Sequence, residues 1–176
     1  MIISNEQSVY LIRLKKKVFQ NGGTLEQLTI NQEFPMHLRF ELISEEDDDF
    51  SFLWEITQSA KNAVRISLHF QEDESKIGLF RVDYNSGHRN PETVSDTLPQ
   101  RFLPFVGKWF SNEESHVHYH VEGYKPLAWA IPIRDSEMTT EEIAGSDTNA
   151  KLSAAIQEFA KIINLETTLT INTLLL

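Results

Sequence analysis

Five stretches of this chain alternate apolar with polar residues at a period of two, and that pattern constrains the fold more than any other feature. Leu25 to Ile30, Met36 to Ile43, Phe50 to Ile56, Val64 to Phe70 and Ile77 to Tyr84 each read as a strand with one face buried. In the second stretch Met36, Leu38, Phe40 and Leu42 alternate with His37, Arg39 and Glu41. Successive side chains on a strand point to opposite faces, so these segments need a sheet with one dry side. The links between them, such as Glu45 to Asp49 and Gln71 to Lys76, are short and polar, which favours an antiparallel meander.

The two ends read as helices. Ser4 with Gln7 has the spacing of a capping box, and Val9, Leu11, Ile12, Leu14, Val18 and Phe19 make an apolar stripe, which predicts a helix ending at Asn21-Gly22-Gly23. On that helix Lys15, Lys16 and Lys17 are expected on the solvated side. Asp147 or Thr148 caps a second helix whose buried stripe is Leu152, Ala155, Ile156, Phe159, Ile162 and Ile163. Asp135 to Thr148 reads as a polar loop, and Leu165 to Leu176 as a last strand or a tail that docks on a partner. The irregular segment from Ser86 to Ser115 carries Phe102, Phe105, Trp109 and Phe110, so it is expected to pack onto the domain and to cover the strand after it. The expectation is one α+β domain over residues 1–176: an N-terminal helix, a largely antiparallel sheet of about six to eight strands, and a C-terminal helix packed on one sheet face.

The chemistry concentrates in Ser115 to Ile133, where His116, His118 and His120 stand two residues apart. On a strand all three imidazoles share a face. Imidazole titrates near neutrality and binds metals when neutral, so it serves as general base, general acid or ligand. The chain has no cysteine, which excludes disulfides, thiolate catalysis and cysteine zinc sites. Any metal must therefore use imidazole and carboxylate. His116 and His118 with Glu122 or Asp83 supply the ligands of a divalent zinc, iron or manganese ion. A net charge of −10 repels nucleic-acid phosphate on average and suits a basic partner. The start MIISNEQSV lacks a basic region followed by an apolar run, and no apolar window approaches about 18 residues, so a cytoplasmic protein with no membrane association is expected.

Two local motifs resemble known families. HxHxxxE from His116 to Glu122 is similar to the cupin metal pattern, without that family's surrounding glycines. HVHYHVE resembles the histidine triad nucleotide hydrolases, which implies His118 as the nucleophile, although Tyr119 and Glu122 depart from the apolar pattern and the lead-in Gly and Gln are missing.

A broader order of motifs, Arg65-Ile66-Ser67-Leu68, Leu79-Phe80-Arg81-Val82-Asp83, Gly87-His88-Arg89-Asn90-Pro91-Glu92, His116-x-His118, Glu122-Gly123-Tyr124 and Trp129-Ala130-x-Pro132, resembles an uncharacterised family of small bacterial proteins with the pattern RLD, HRNPDG, HLHxYxEGY and WAxP, followed by a C-terminal helix. Glu92-Thr93 stands where that family has Asp-Gly, and His120 where it favours tyrosine.

The resemblance implies Asp83, His88, Arg89, Asn90, His116, His118, Glu122 and Tyr124 as residues of interest, and its small mobile-element context implies toxin–antitoxin or phage-related roles. The resulting expectation is a hydrolase or RNA-processing enzyme. Its catalytic candidates are His88, His116, His118, Arg89 and Tyr124, and its metal candidates His116, His118, Glu122 and Asp83. The alternative is a non-enzymatic acidic binding protein, an inhibitor, antitoxin-like or anti-defence, acting on a basic protein partner. Thr167 to Leu176 is apolar enough to suggest a homo-oligomer.

Overall fold

The computed structural model describes residues 2–173. Helix α1 (Asn5–Arg13) precedes β1 (Lys17–Gln20), β2 (Gly23–Leu25), β3 (Gln27–Gln32), β4 (His37–Ile43), β5 (Ser51–Gln58), β6 (Ile66–Glu72) and β7 (Ile77–Tyr84). The long connection after β7 holds β8 (His88–Arg89), a 3-10 turn (Gln100–Phe105) and β9 (Trp109–Phe110). It leads into β10 (His116–Tyr119) and β11 (Trp129–Pro132), after which come helix α2 (Thr148–Ile162) and β12 (Thr168–Thr173).

Eight strands form one sheet in the order β11-β10-β7-β6-β5-β4-β1-β2, antiparallel at each pairing. The α+β class, the antiparallel sheet and the helix at each end agree with the sequence. β12 pairs in parallel with β3, so part of Leu165 to Leu176 is a strand; positions 174–176 of that segment lie outside the described residues.

Alternation divides the sheet into two unlike faces. In register across four strands, Trp54, Phe70, Phe80 and Tyr119 are mutual neighbours, as are Ile56, Leu68, Val82 and Val117. This face is the core. Helix α2 lays Phe159 on it, with its ring 6.0 Å from Trp54 and 5.3 Å from Phe80, and α1 adds Leu11. Stretch 135–148 is less polar in role than expected: Met138 and Ile143 are buried, and Glu158 of α2 accepts the backbone N–H groups of Thr139 and Thr140 at 2.9 and 3.0 Å. The opposite face carries Glu55, His69, Arg81 and His118 in one row and Thr57, Ser67, Asp83 and His116 in the next.

The first helix is shorter than its stripe predicts. Ser4 caps it, accepting from the Gln7 N–H at 3.1 Å, but it ends at Arg13, and Lys17–Gln20 is a strand paired with β4. Asn21 and Gly22, both at positive φ, make the tight turn into β2. Val18 fits either period, and pairing with Leu42 decides for the strand. The change buries Lys16, expected to be solvated. Its Nζ donates to the carbonyls of Ile12, Leu14 and Ile163 at 3.0, 2.6 and 3.0 Å, and it lies 4.9 and 5.1 Å from the rings of Phe52 and Phe70. Burial pulls its pKa down to about 7. One ammonium thus joins the C-terminal ends of both helices, where carbonyls lack helical partners. The acidic run after β4 is tied to α1 as well: Glu46 accepts the Lys15 N–H at 2.9 Å and Asp47 the Tyr10 hydroxyl at 2.8 Å.

Replacing Lys16 with Met leaves those carbonyls unpaired under the same apolar volume. Urea unfolding of Lys16→Met is expected to show a loss of about 2–3 kcal/mol. Equal or greater stability than wild type contradicts the role of Lys16 as a joint between the helices.

Candidate functional site

The polar face of the sheet would be wet if it were open, and part of it is not. His116 and His118 on β10 are fully buried, and Asp83, directly opposite His116 on β7, is 8 % exposed. The cover is the connection predicted to pack there. β8 and β9 pair His88 with Phe110 and Arg89 with Trp109. The Phe110 ring lies 4.5 Å from the His116 ring, and the His88 ring 4.5 Å from that of His118 and 5.6 Å from that of His116. Asn90 fastens the cover to β11: its Oδ1 accepts from the Ala130 N–H at 2.9 Å and its Nδ2 donates to the Ala130 and Phe105 carbonyls at 2.7 and 2.9 Å.

Within this enclosure a donor–acceptor conflict appears. His118 Nδ1 is 2.8 Å from the Leu127 carbonyl, which only accepts, so the ring proton is on Nδ1 and Nε2 carries a lone pair. That Nε2 lies 3.1 Å from Asp83 Oδ2, a second lone-pair bearer, and 3.0 Å from Arg81 Nη2. Protonating Nε2 instead would satisfy Asp83 and set the ring against Arg81. Burial holds the His118 pKa below the ordinary imidazole value, with Asp83 opposing and Arg81 adding to the shift, so the neutral ring is the form present. Leu127 is itself fixed: a Cβ on Gly78 would come within 2.6 Å of its Cδ1.

His116 is more isolated. Both its ring nitrogens are buried without a hydrogen-bond partner among the described residues, and its Nε2 stands 3.9 Å from Asp83 Oδ2. Burial, helped by His118, drops its pKa to about 3. Burial works the other way on Asp83, but His118 once protonated, the Arg81 guanidinium and the Ser67 hydroxyl outweigh it, leaving the carboxyl well below the usual range. The Ser67 hydroxyl donates to Asp83 Oδ1 at 2.6 Å. One atom each from Asp83, His116 and His118 therefore lies within 4.8 Å of the others, a group able to hold a metal ion. Beside Asp83 a cavity of about 190 Å³ opens between Thr57, Ser59, Arg65, Ser67 and Ser86.

The other predicted residues sit elsewhere, except His88. Its Nε2 lies 3.0 Å from the Ala128 carbonyl and 3.1 Å from Asn90 Oδ1, both acceptors, so its proton is there; burial lowers its pKa, with His118 adding to the shift. Arg89 alternates to the outside of the cover and pairs with Glu92. β10 ends at Tyr119, so the two-residue spacing stops placing side chains on its face. His120 accordingly bonds the Ile3 carbonyl at 2.7 Å. The Glu122 backbone bonds Asn5 and Thr97, and its side chain is not part of the metal-capable group. The Tyr124 hydroxyl donates to the Thr93 carbonyl and accepts from the Ser95 N–H, holding the cover's far end. Arg81 and Ser67 were not singled out in sequence. Arg81 stands two residues before Asp83 and so shares its face, a signal legible only once β7 is known to pair with β10.

A family described as one of unknown function, DUF6978, matches residues 3–165, in agreement with the resemblance to an uncharacterised family. No curated protein and no solved structure matches the chain.

The buried neutral histidines predict acid sensitivity in chelator-treated protein. Their folded-state pKa values lie below the unfolded value near 6.5, so the unfolded chain binds more protons as pH falls from there, for His116 down to about 3. Stability is full above that window and lost through it, at up to about 1.4 kcal/mol per pH unit for each histidine. Asp83, shifted down, loses its own contribution only below about pH 4. Urea unfolding of wild type and His116→Phe between about pH 7 and 5 is expected to give a shallower pH dependence in the variant. Equal slopes contradict a neutral, buried His116.

Proposed function

We propose that this chain, which belongs to the family of unknown function DUF6978, is a metal-dependent hydrolase in which Asp83, His116 and His118 hold one divalent ion. His116 carries the reading. A buried imidazole with neither nitrogen partnered costs free energy that an apolar ring of the same size would not, so the position makes physical sense when something binds it. Two imidazole nitrogens and a carboxylate oxygen suit zinc, iron or manganese and leave positions open. An ion held there supplies Lewis acidity and brings the pKa of water towards neutrality, which is the chemistry of hydrolysis.

The chain's own groups have separable tasks. The Leu127 carbonyl fixes the His118 tautomer with its lone pair inward, and Phe110 keeps water from His116 on the covered side. Ser67 holds Asp83 by the oxygen that does not face the imidazoles. His88, with its proton committed at Nε2, keeps a lone pair on Nδ1 and is assigned to proton transfer. Substrate enters by the cavity beside Asp83, where the Arg65 guanidinium, 3.4 Å from the Ser86 hydroxyl, offers a cationic rim. Fully buried imidazoles and a cavity of about 190 Å³ favour a small substrate over an RNA strand.

Metal analysis of protein purified without a histidine tag is expected to find near-stoichiometric zinc or iron. His116→Ala and His118→Ala should lose it, while Glu122→Gln and Tyr124→Phe retain it. A wild type that is metal-free, and stays so after incubation with each ion, removes the reading.

A further inference from the structure

Arg81 stands where a bound ion would stand. It lies opposite His118 in the register, with Nη2 3.0 Å from His118 Nε2 and Nε 3.0 Å from Asp83 Oδ2. One guanidinium thus covers two of the three donors. The fit is poor on both sides: Arg81 Nε is buried yet its proton is not aimed at a hydrogen-bond partner among the described residues, and the His116 nitrogens are not reached at all. A planar cation with donors in a fixed fork cannot meet all three ligand atoms, which lie within 4.8 Å of one another. A spherical ion can.

Resting on the metal reading above, we infer that Arg81 is the resident cation of the metal-free site, that an ion enters only by turning it outward, and that this exchange sets which ions the site accepts. The cost of displacing the guanidinium is the same for every ion, because it is the loss of the Asp83 and His118 contacts. The gain differs. Imidazole-rich sites bind first-row metals more tightly from manganese towards copper, with zinc close behind, whereas magnesium and calcium prefer oxygen ligands. Subtracting one cost from all of them leaves zinc and its neighbours above the threshold and manganese, magnesium and calcium below it.

An outward path exists. The Arg81 side chain is 31 % exposed, and its lateral row continues through His69 to Glu55, a carboxylate that already pairs with Arg39 at 3.2 Å. Turned along that row, Arg81 leaves three donors with no cation among them. The same argument accounts for a basic residue in a site whose task is to bind a cation, since an empty pair of lone-pair bearers 3.1 Å apart would be repulsive.

Calorimetric titration of metal-free wild type, Arg81→Gln and Arg81→Lys with zinc and with manganese tests the exchange. Arg81→Gln is expected to tighten zinc by about tenfold or more, to bind manganese where wild type does not, and to gain more in melting temperature on adding zinc than wild type does. If Arg81→Gln fails to fold, Arg81→Lys keeps the charge but cannot span two donors, and tightening is expected from it too. Equal zinc affinity in wild type and the folded variants overturns the role of Arg81 and leaves the metal site standing. Absence of zinc binding in all of them overturns the metal reading and this inference with it.

Discussion

The register between β7 and β10 is the constraint on which the rest depends. With Phe80 opposite Tyr119 and Val82 opposite Val117, the apolar side chains of both strands enter the core, where Phe80 meets Phe159 of helix α2. The residues between them, Arg81, Asp83, His116 and His118, are forced to the other face by the same pleat. A slip of β10 by one residue would turn that strand over, placing both imidazoles on the core face and Val117 and Tyr119 on the polar one. Core and site are therefore specified together, and the hydrophobic term that fixes the core also holds the polar groups in place without their having to attract one another.

They do not attract one another well. Charged and lone-pair-bearing groups taken out of water must be paired or they destabilise the fold, and here the pairing is incomplete at His116 and at Arg81 Nε. The enclosure persists because the cover is anchored elsewhere. Asn90 pairs with the free edge of β11, Phe110 packs on His116, and Tyr124 ties down residues 93 and 95. Stability lost in the polar cluster is offset by backbone pairing and aromatic contact around it. Such tension, maintained by surrounding structure, is what a site prepared for an absent ligand looks like.

Much of this was legible in the sequence. Four of the alternating segments located strands of the meander, Ile77 to Tyr84 to the residue, whereas Leu25 to Ile30 spans the break between β2 and β3, and β3 leaves the sheet to pair with β12; the two-residue spacing of His116 and His118 put them on one face. The aromatic residues of 86–115 showed that this segment packs as a cover. Other features were not legible because they depend on pairing. Val18 and Phe19 satisfy helical and strand spacing alike, and β4 decides between them. His120 and Glu122 extend the histidine spacing only if the strand continues, and it stops at Tyr119. Lys16 reads as a surface cation until α1 and α2 are seen to end beside each other. Arg81 becomes part of the site only through the register that faces it with His118.

The central claim is that neutral imidazoles direct lone pairs towards Asp83 inside the sheet's covered face. Nitrogen-15 NMR of the histidine rings reads this directly, since protonated, unprotonated and metal-bound ring nitrogens resonate apart. In metal-free protein near neutral pH the account predicts neutral rings for His116 and His118, with the His118 proton on Nδ1, and a shift of one lone-pair nitrogen on each ring when zinc is added. An imidazolium at His118, or rings that zinc leaves unchanged, would contradict it.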